Sequence, residues 1–299
     1  MNDIVWVVNE RDAGEYERDD HPMCVYPKEW SLAYAQKHWM LAAPPNPGFL
    51  GAFPGREWAC LEAERRGCWG VLQLDDNITT LTFPRGNSKS CREIVNRNGG
   101  LAMFADILSA VALSTNGRMV GANLGAMPSI KLGIARPGFP YSCFIEKVGS
   151  GRESWYGPYE DDITHAFQYG TRADAGSSTA LVVPLLRYEK ESKSKSAMRS
   201  YYDHTRAVSL QKIFPEAANI VIKQRYSNGM GAPRIYHQMR SDAIRNKLII
   251  KDRAMFRQVK TRIEQLLIDW WELHQGLVRE KITRRSVRVV NPDTDKAAL

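Results

Sequence analysis

What this sequence lacks closes off several classes of protein before any motif is read. No apolar run approaches the roughly 20 residues that cross a bilayer, so a membrane-spanning protein is not expected. The five cysteines, Cys24, Cys60, Cys68, Cys91 and Cys143, form no CxxC pair and are odd in number. That argues against a zinc site and against a disulfide framework, and reduced thiols in a cytosol are the simple reading. The opening "MNDIVWVVNE" carries acid early and lacks a basic n-region, so it reads as a first strand and not as a secretory signal. A soluble, cytoplasmic protein is the expectation. "NRNGG" and "GANLGAMPS" are glycine turns without P-loop or GxGxxG spacing. No serine or cysteine stands in a nucleophile motif, and there is no internal repeat.

What is present reads as globular. The 299 residues suffice for one large domain or two small ones, and a 43% hydrophobic fraction supplies a core. Lys and Arg outnumber Asp and Glu by 41 to 33, giving a net charge of +8, which points to an anionic partner such as nucleic acid or a nucleotide.

Strand and helix signals alternate over about the first 220 residues. "DIVWVV" is a buried strand, "PKEWSLAYAQKHWM" a helix with Pro27 in its first turn, and "AAPPNPGFLGAFPG" cannot continue that helix. "REWACLEAERRG" is a helix closed by Gly67, and "CWGVLQL" is the strand after it. "GGLAMFADILSAVAL" is helical, "GRMVGANLG" and "YSCFIEKVG" are strands, "YEDDITHAFQYG" is a short helix and "STALVVPLLRYE" a further strand. The alternation predicts an α/β fold, a mixed sheet between helices. From Lys251 to about Thr283 the chain reads as one long helix. Phe256, Val259, Ile263, Leu266, Trp270, Leu273 and Leu277 form its apolar seam. Such a seam either packs on the helix's own domain or forms a homodimer. The domain boundary is set near residue 245, with 246–299 as long helix and basic tail.

Two acidic clusters carry the candidate chemistry. "WGVLQLDDNI" ends an apolar strand on Asp75, Asp76 and Asn77, oxygen donors suited to Mg²⁺ or Mn²⁺ or, more simply, to an Asx turn. "GPYEDDITHAFQYG" stacks Glu160, Asp161 and Asp162 in a helical first turn, where the helix dipole alone favours carboxylates. His165 lies four residues from Asp161 and three from Asp162, so one helix face can set a carboxylate beside an imidazole. Trp155 and Tyr156 precede this helix and read as an acceptor wall or as core. "YEKESKSKSAMRSYYDHTR" interleaves Lys190, Lys193, Lys195, Arg199 and Arg206 with serine and ends on Tyr201, Tyr202 and His204. It is either a solvated loop or a phosphate-binding segment with aromatics for an extruded base.

The unit "REWACLEAERRGCWGVLQLDDN" together with the opening "VVNERD" resembles the glycosyltransferases of the GT-A fold, Rossmann-like enzymes with a metal-binding DxD motif after a buried strand. The resemblance implies a first strand that cradles the nucleotide base, with Asn9 and Arg11 at its end. It implies Asp75 facing the ribose, and Asp76 or Asn77 on the metal that bridges the diphosphate. Asn at the third position departs from the usual motif and leaves the choice of ligand open. Arg56 would contact donor phosphate or stand as a surface arginine, Lys195 and Arg199 would meet donor diphosphate or DNA phosphate, Asp161 or Asp162 would be the base, and His165 (otherwise structural) or His204 a further metal ligand. The combination "LQLDDN … EDDITHAFQYG … KSKSAMRSYY" is similar to the glycosyltransferases that phages encode beside TET/JBP-type dioxygenases. That narrower likeness implies a UDP-sugar donor, a hydroxymethylated pyrimidine in DNA as acceptor, and a host cytoplasm as the place of action; the alternatives are a glycosyltransferase acting on protein or carbohydrate, and a metal-dependent nuclease or nucleotidyltransferase that grips its ions with the two acidic clusters.

Overall fold

The computed structural model describes residues 5–17, 21–84, 92–94, 100–124, 133–170, 178–191, 208, 210–216, 218–224, 233–240, 246–263 and 265. In chain order these form β1 (Trp6–Asn9), a 3-10 turn (Glu10–Asp12), α1 (Ala13–Tyr16), β2 (Met23–Tyr26), α2 (Lys28–Lys37), α3 (Phe53–Arg65) and β3 (Gly70–Leu74). They continue through β4 (Ile78–Pro84), β5 (Arg92–Ile94), α4 (Gly100–Ser114), β6 (Gly117–Leu124), β7 (Arg136–Pro137) and β8 (Cys143–Lys147). The last are α5 (Asp161–Gly170), β9 (Thr179–Lys190), β10 (Ala218–Gln224) and β11 (Pro233–Met239), with residues 253–263 helical after them. The chain is therefore mixed α/β, as the alternation predicts. No helix among the described residues is long and apolar enough to cross a membrane.

The chain divides into two compact units, each made of three segments: residues 1–73, 146–175 and 192–246, and residues 74–145, 176–191 and 247–299. In the first unit β1 and β2 pair in parallel, Trp6 opposite Met23 through Asn9 opposite Tyr26. The four residues of β2, "MCVY", are too short to announce themselves and gain their order from that pairing. Helix α3 starts at Phe53, three residues before the predicted start at Arg56, because Pro54 sits where a helix has no use for an amide hydrogen. Its end matches the prediction. Gly67 takes a φ of 69°, its N–H reaches the Glu64 carbonyl, and the Cys68 N–H reaches that of Ala63, which satisfies the last carbonyls of the helix. Phe53, Cys60, Trp155, Phe167 and Tyr169 are fully buried in this unit. β10 and β11 form a separate antiparallel pair.

The larger sheet runs β3-β8-β6-β9-β4-β5, with β7 on β9. It is mixed: β6 lies parallel to β9, while β4 and β7 lie antiparallel to it. The first ten residues of β9 are buried without a break, the mark of a strand covered on both faces. Pro184 in its middle would remove a ladder hydrogen bond. The register shows how it is absorbed: Ala122 faces Val183, and the next residue, Asn123, faces Arg187. Pro184, Leu185 and Leu186 thus form a bulge. Gly121 is required on β6, because a Cβ there would lie 2.7 Å from the Cys143 carbonyl oxygen. Helix α4 supplies Phe104, Leu108, Val111 and Ala112 to the core of the second unit.

Of the stretch expected to form a long C-terminal helix, residues 253–263 are described, and they are helical. Asp252 caps them, its Oδ1 accepting from the Met255 N–H at 3.0 Å. Val259 and Ile263 of the apolar seam are buried within the chain. Leu266, Trp270, Leu273 and Leu277 lie outside the described residues.

Candidate functional site

A cavity of about 210 Å³ opens at the carboxyl ends of β1 and β2. Asn9, Arg11, Asp12, Tyr26, Lys28 and Ser31 line it from the strand ends and α2, and the segment Pro47–Gly51 forms the facing wall. Asn9 is fixed at both ends: Nδ2 donates to Ser31 Oγ at 3.0 Å, and Oδ1 accepts from the Arg11 N–H at 2.9 Å. Arg11 donates to the Pro47 carbonyl at 3.0 Å and pairs with Asp12 at 2.8 Å. Burial pushes the Tyr26 hydroxyl up to about 12, so it stays a neutral wall of the cavity at physiological pH. Carboxyl ends of parallel strands are where α/β folds gather ligands. The structure thus places Asn9 and Arg11, the two residues expected to hold a base, on one cavity.

The acidic helix α5 is wired differently from expectation. Asp161 Oδ2 accepts from Arg56 Nε at 2.8 Å, with side-chain exposures of 14% and 8%, so the expected base and the expected phosphate contact hold each other. The Arg56 guanidinium also sits 5.2 Å over the Trp155 ring. Asp162 Oδ1 accepts from the Ile163 N–H at 2.8 Å, in the helix's first turn. Before them Glu160 holds a φ of 51°, which a non-glycine residue rarely adopts. His165 does not meet these aspartates in a hydrogen bond. It is fully buried, Nε2 lies 2.6 Å from Glu146 Oε1, Nδ1 lies 3.0 Å from Gln168, and its ring stacks on Trp155 at 3.8 Å. Both ring nitrogens are engaged, so a cation on His165 would have to displace a protein partner. Trp155 is core, not an exposed wall.

Three residues of this network carried no expectation from the sequence. Glu146, fully buried on β8, accepts from Tyr169 Oη at 2.9 Å, Trp155 Nε1 at 3.1 Å and Cys60 Sγ at 3.2 Å as well as meeting His165. Burial alone would push its carboxyl up. The His165 imidazole, Arg152 and the Cys60 hydrogen bond together hold it below the usual carboxylate range. Glu57 on α3 grips Arg152 with both oxygens, at 2.6 and 2.9 Å. Burial would lower the Arg152 pKa, and the Glu57 hydrogen bonds more than offset it. The available signal was Glu146 itself, a carboxylate directly after the apolar residues Cys143, Phe144 and Ile145 of an expected strand.

The run "LQLDDNI" is a strand, a turn and a strand. The Asp75 N–H donates to the Ser142 carbonyl, and the Ile78 N–H closes the turn on the Asp75 carbonyl at 3.2 Å. Asp75 Oδ2 lies 2.6 Å from Lys190 Nζ, which also donates to Ser142 Oγ at 2.6 Å. Ser142 itself has a φ of 54°. Asp76 is exposed, and Asn77 Oδ1 is buried with no hydrogen-bond partner. Among the described residues no three His, Cys, Asp or Glu side chains converge on one point, so a cation caged by protein alone does not fit them. The pair Asp76 and Asn77 Oδ1 fits a cation that arrives with phosphate, since Mg²⁺ commonly takes only one or two protein ligands and completes its shell with phosphates and water. Lys195, Arg199 and His204 lie outside the described residues. Comparison with protein-family models, with curated proteins and with solved structures gives no match.

Proposed function

We propose that the chain is a metal-dependent glycosyltransferase with a GT-A-like fold, moving a sugar from a UDP-sugar to a hydroxymethylated pyrimidine in DNA. The observation that carries this reading is the cavity on Asn9 and Arg11 at the ends of two parallel strands. Its volume is below the roughly 300–1,000 Å³ of sites that enclose drug-sized ligands, so it suits the base and ribose and leaves the diphosphate and sugar outside. Tyr26 offers a neutral aromatic wall, while Arg11 and Lys28 supply positive charge. The acidic turn supports the metal requirement independently, through exposed Asp76 and the unsatisfied Asn77 oxygen. Asp75, tied to Lys190, holds the turn in shape. On α5, Asp162 is the proposed base for the acceptor hydroxyl, and Asp161, held by Arg56, is a positioning residue. The net charge of +8 and the sequence resemblance favour DNA as acceptor.

The test is a mass-resolved transfer assay with UDP-sugars, Mn²⁺ and DNA carrying 5-hydroxymethylcytosine or 5-hydroxymethyluracil, beside Asp75→Ala/Asp76→Ala. A hexose-sized gain in nucleoside mass, absent from the variant, is expected. Donor hydrolysis without that gain moves the acceptor elsewhere, and neither product nor hydrolysis sinks the transferase reading.

A further inference from the structure

More than half of the chain's net positive charge falls on one segment of the second unit. Residues 247–262 hold six cations, Lys247, Lys251, Arg253, Arg257, Lys260 and Arg262, against the single acid Asp252, a net +5 out of +8 for the whole chain. A basic run is often a loose, solvated loop. This one is fastened. Asn116, buried just past the end of α4, donates from Nδ2 to the Lys247 carbonyl at 3.0 Å and accepts at Oδ1 from the Ile249 N–H at 2.8 Å. Its own N–H donates to the Ile249 carbonyl at 3.0 Å. The Ser114 carbonyl accepts from the N–H groups of Lys251 and Asp252, at 2.8 and 3.0 Å. Asp252 then caps the helix of residues 253–263, whose Val259 and Ile263 are buried. The cations therefore stand on a fixed backbone, and Lys247, Lys251, Arg253, Arg257 and Arg262 are all exposed.

Their placement runs against ordinary helix electrostatics. Arg253 opens the helix, where the dipole disfavours a cation. Arg257 follows four residues later on the same face, where like charges repel, and half-buried Lys260 continues that face. Elsewhere the chain pairs its surface arginines: on α3 Glu62 meets Arg65 at 2.7 Å and Arg66 at 2.6 Å, and Arg11 lies on Asp12. Among the described residues no carboxylate pairs with Arg253, Arg257 or Arg262. Two guanidinium groups that start from positions about 5–6 Å apart and reach solvent suit phosphate oxygens, which the planar fork of arginine takes two at a time. Val259 and Ile263 are turned into the chain, so the outward face of the helix offers charge and no apolar surface for lipid.

We propose that the fastened segment 247–262 is the surface on which the chain holds DNA, its Arg253–Arg257 pair lying on backbone phosphates without reading sequence. This deepens the proposed function, resting on DNA as the acceptor, and assigns the holding of that acceptor to a surface other than the nucleotide cavity.

Anisotropy of labelled duplexes of two unrelated sequences, titrated with the full-length protein between about 50 and 200 mM salt, tests it. Arg253→Ala/Arg257→Ala is expected to weaken binding to both more than about tenfold and to lower the salt slope by about two. The substitutions relieve a like-charge pair, so the melting temperature is held or raised and lost binding is not lost folding. Arg65→Ala/Arg66→Ala removes the same charge from α3 and keeps wild-type affinity. The proposal is overturned by wild-type affinity and slope in the Arg253/Arg257 variant, by an equal loss in the α3 variant, or by a melting transition lost together with binding. It is also overturned if the wild-type protein ignores DNA or binds anionic phosphatidylserine vesicles through the same two arginines. UDP with Mn²⁺ is titrated into the same proteins. A wild-type protein that binds UDP and ignores DNA loses this surface and keeps its nucleotide site. One that never binds UDP, yet loses DNA with Arg253 and Arg257, keeps this surface and loses the transferase.

Discussion

Helix α5 and the Asp75–Asn77 turn are both short runs of acid, yet their surroundings treat that charge in opposite ways. On α5 the charge is drawn into unit-one packing: Asp161 on Arg56, and His165 on the buried Glu146. In the turn, Asp75 is paired with Lys190, while Asp76 remains exposed and the Asn77 amide oxygen is left without a hydrogen bond. A buried charge persists only if other groups meet it, and once met it is a structural element. A group that binds ligand must be reachable, and is often left incompletely satisfied. By that criterion the network around α5 is mainly architecture, and in the turn exposed Asp76 is the group that the proposed cation would reach.

The difference can be broken by substitution. Glu57→Ala carries the largest expected effect, because it removes both short contacts to the Arg152 guanidinium and the acceptor of the Trp155 N–H, leaving Arg152 its longer contact with Glu64: about 3 kcal/mol lost in urea unfolding, with the proposed Mn²⁺ binding at the turn unaffected. Glu146→Gln follows at about 1–3 kcal/mol, since the amide cannot accept every hydrogen bond the carboxylate takes. It also has a pH signature. The Glu146 carboxyl is held below its ordinary value in the folded protein, so its stabilisation is complete above the unfolded value of about 4.3 and is lost as pH falls through the folded one. Wild-type protein should lose stability below that pH more steeply than Glu146→Gln; parallel acid titrations of the two would remove Glu146 from the architecture. The smallest stability effect belongs to Asp76→Ala, within about 0.5 kcal/mol as for an exposed side chain. The same variant should lose the Mn²⁺-dependent rise in melting temperature on adding UDP. A variant that keeps that rise would move the cation away from the turn.

The sequence reveals what depends on neighbours along the chain and hides what depends on distant partners. The α3 helix with its Gly67 end, the long apolar strand β9 and the strand-to-acid step at Asp75 are all local patterns, and the structure has each of them. Asn9 and Arg11 were legible for the same reason, following a strand directly. The partners of Asp161 and His165 were not, because Arg56 and Glu146 are 105 and 19 residues away, and no spacing rule reaches them. The same distance hid Glu57 and Arg152, 95 residues apart. β10 and β11 were not expected, although the β-branched run Ile220, Val221 and Ile222 is a strand signal.

The bulge at Pro184 makes β9 a counting device. With its amino-terminal half held against β6, the number of residues in the bulge decides which side chain arrives beside Asp75. Deleting one would bring Glu191 to the place of Lys190 and set carboxylate against carboxylate. Over evolutionary time this stretch is therefore freer to change its letters than its length.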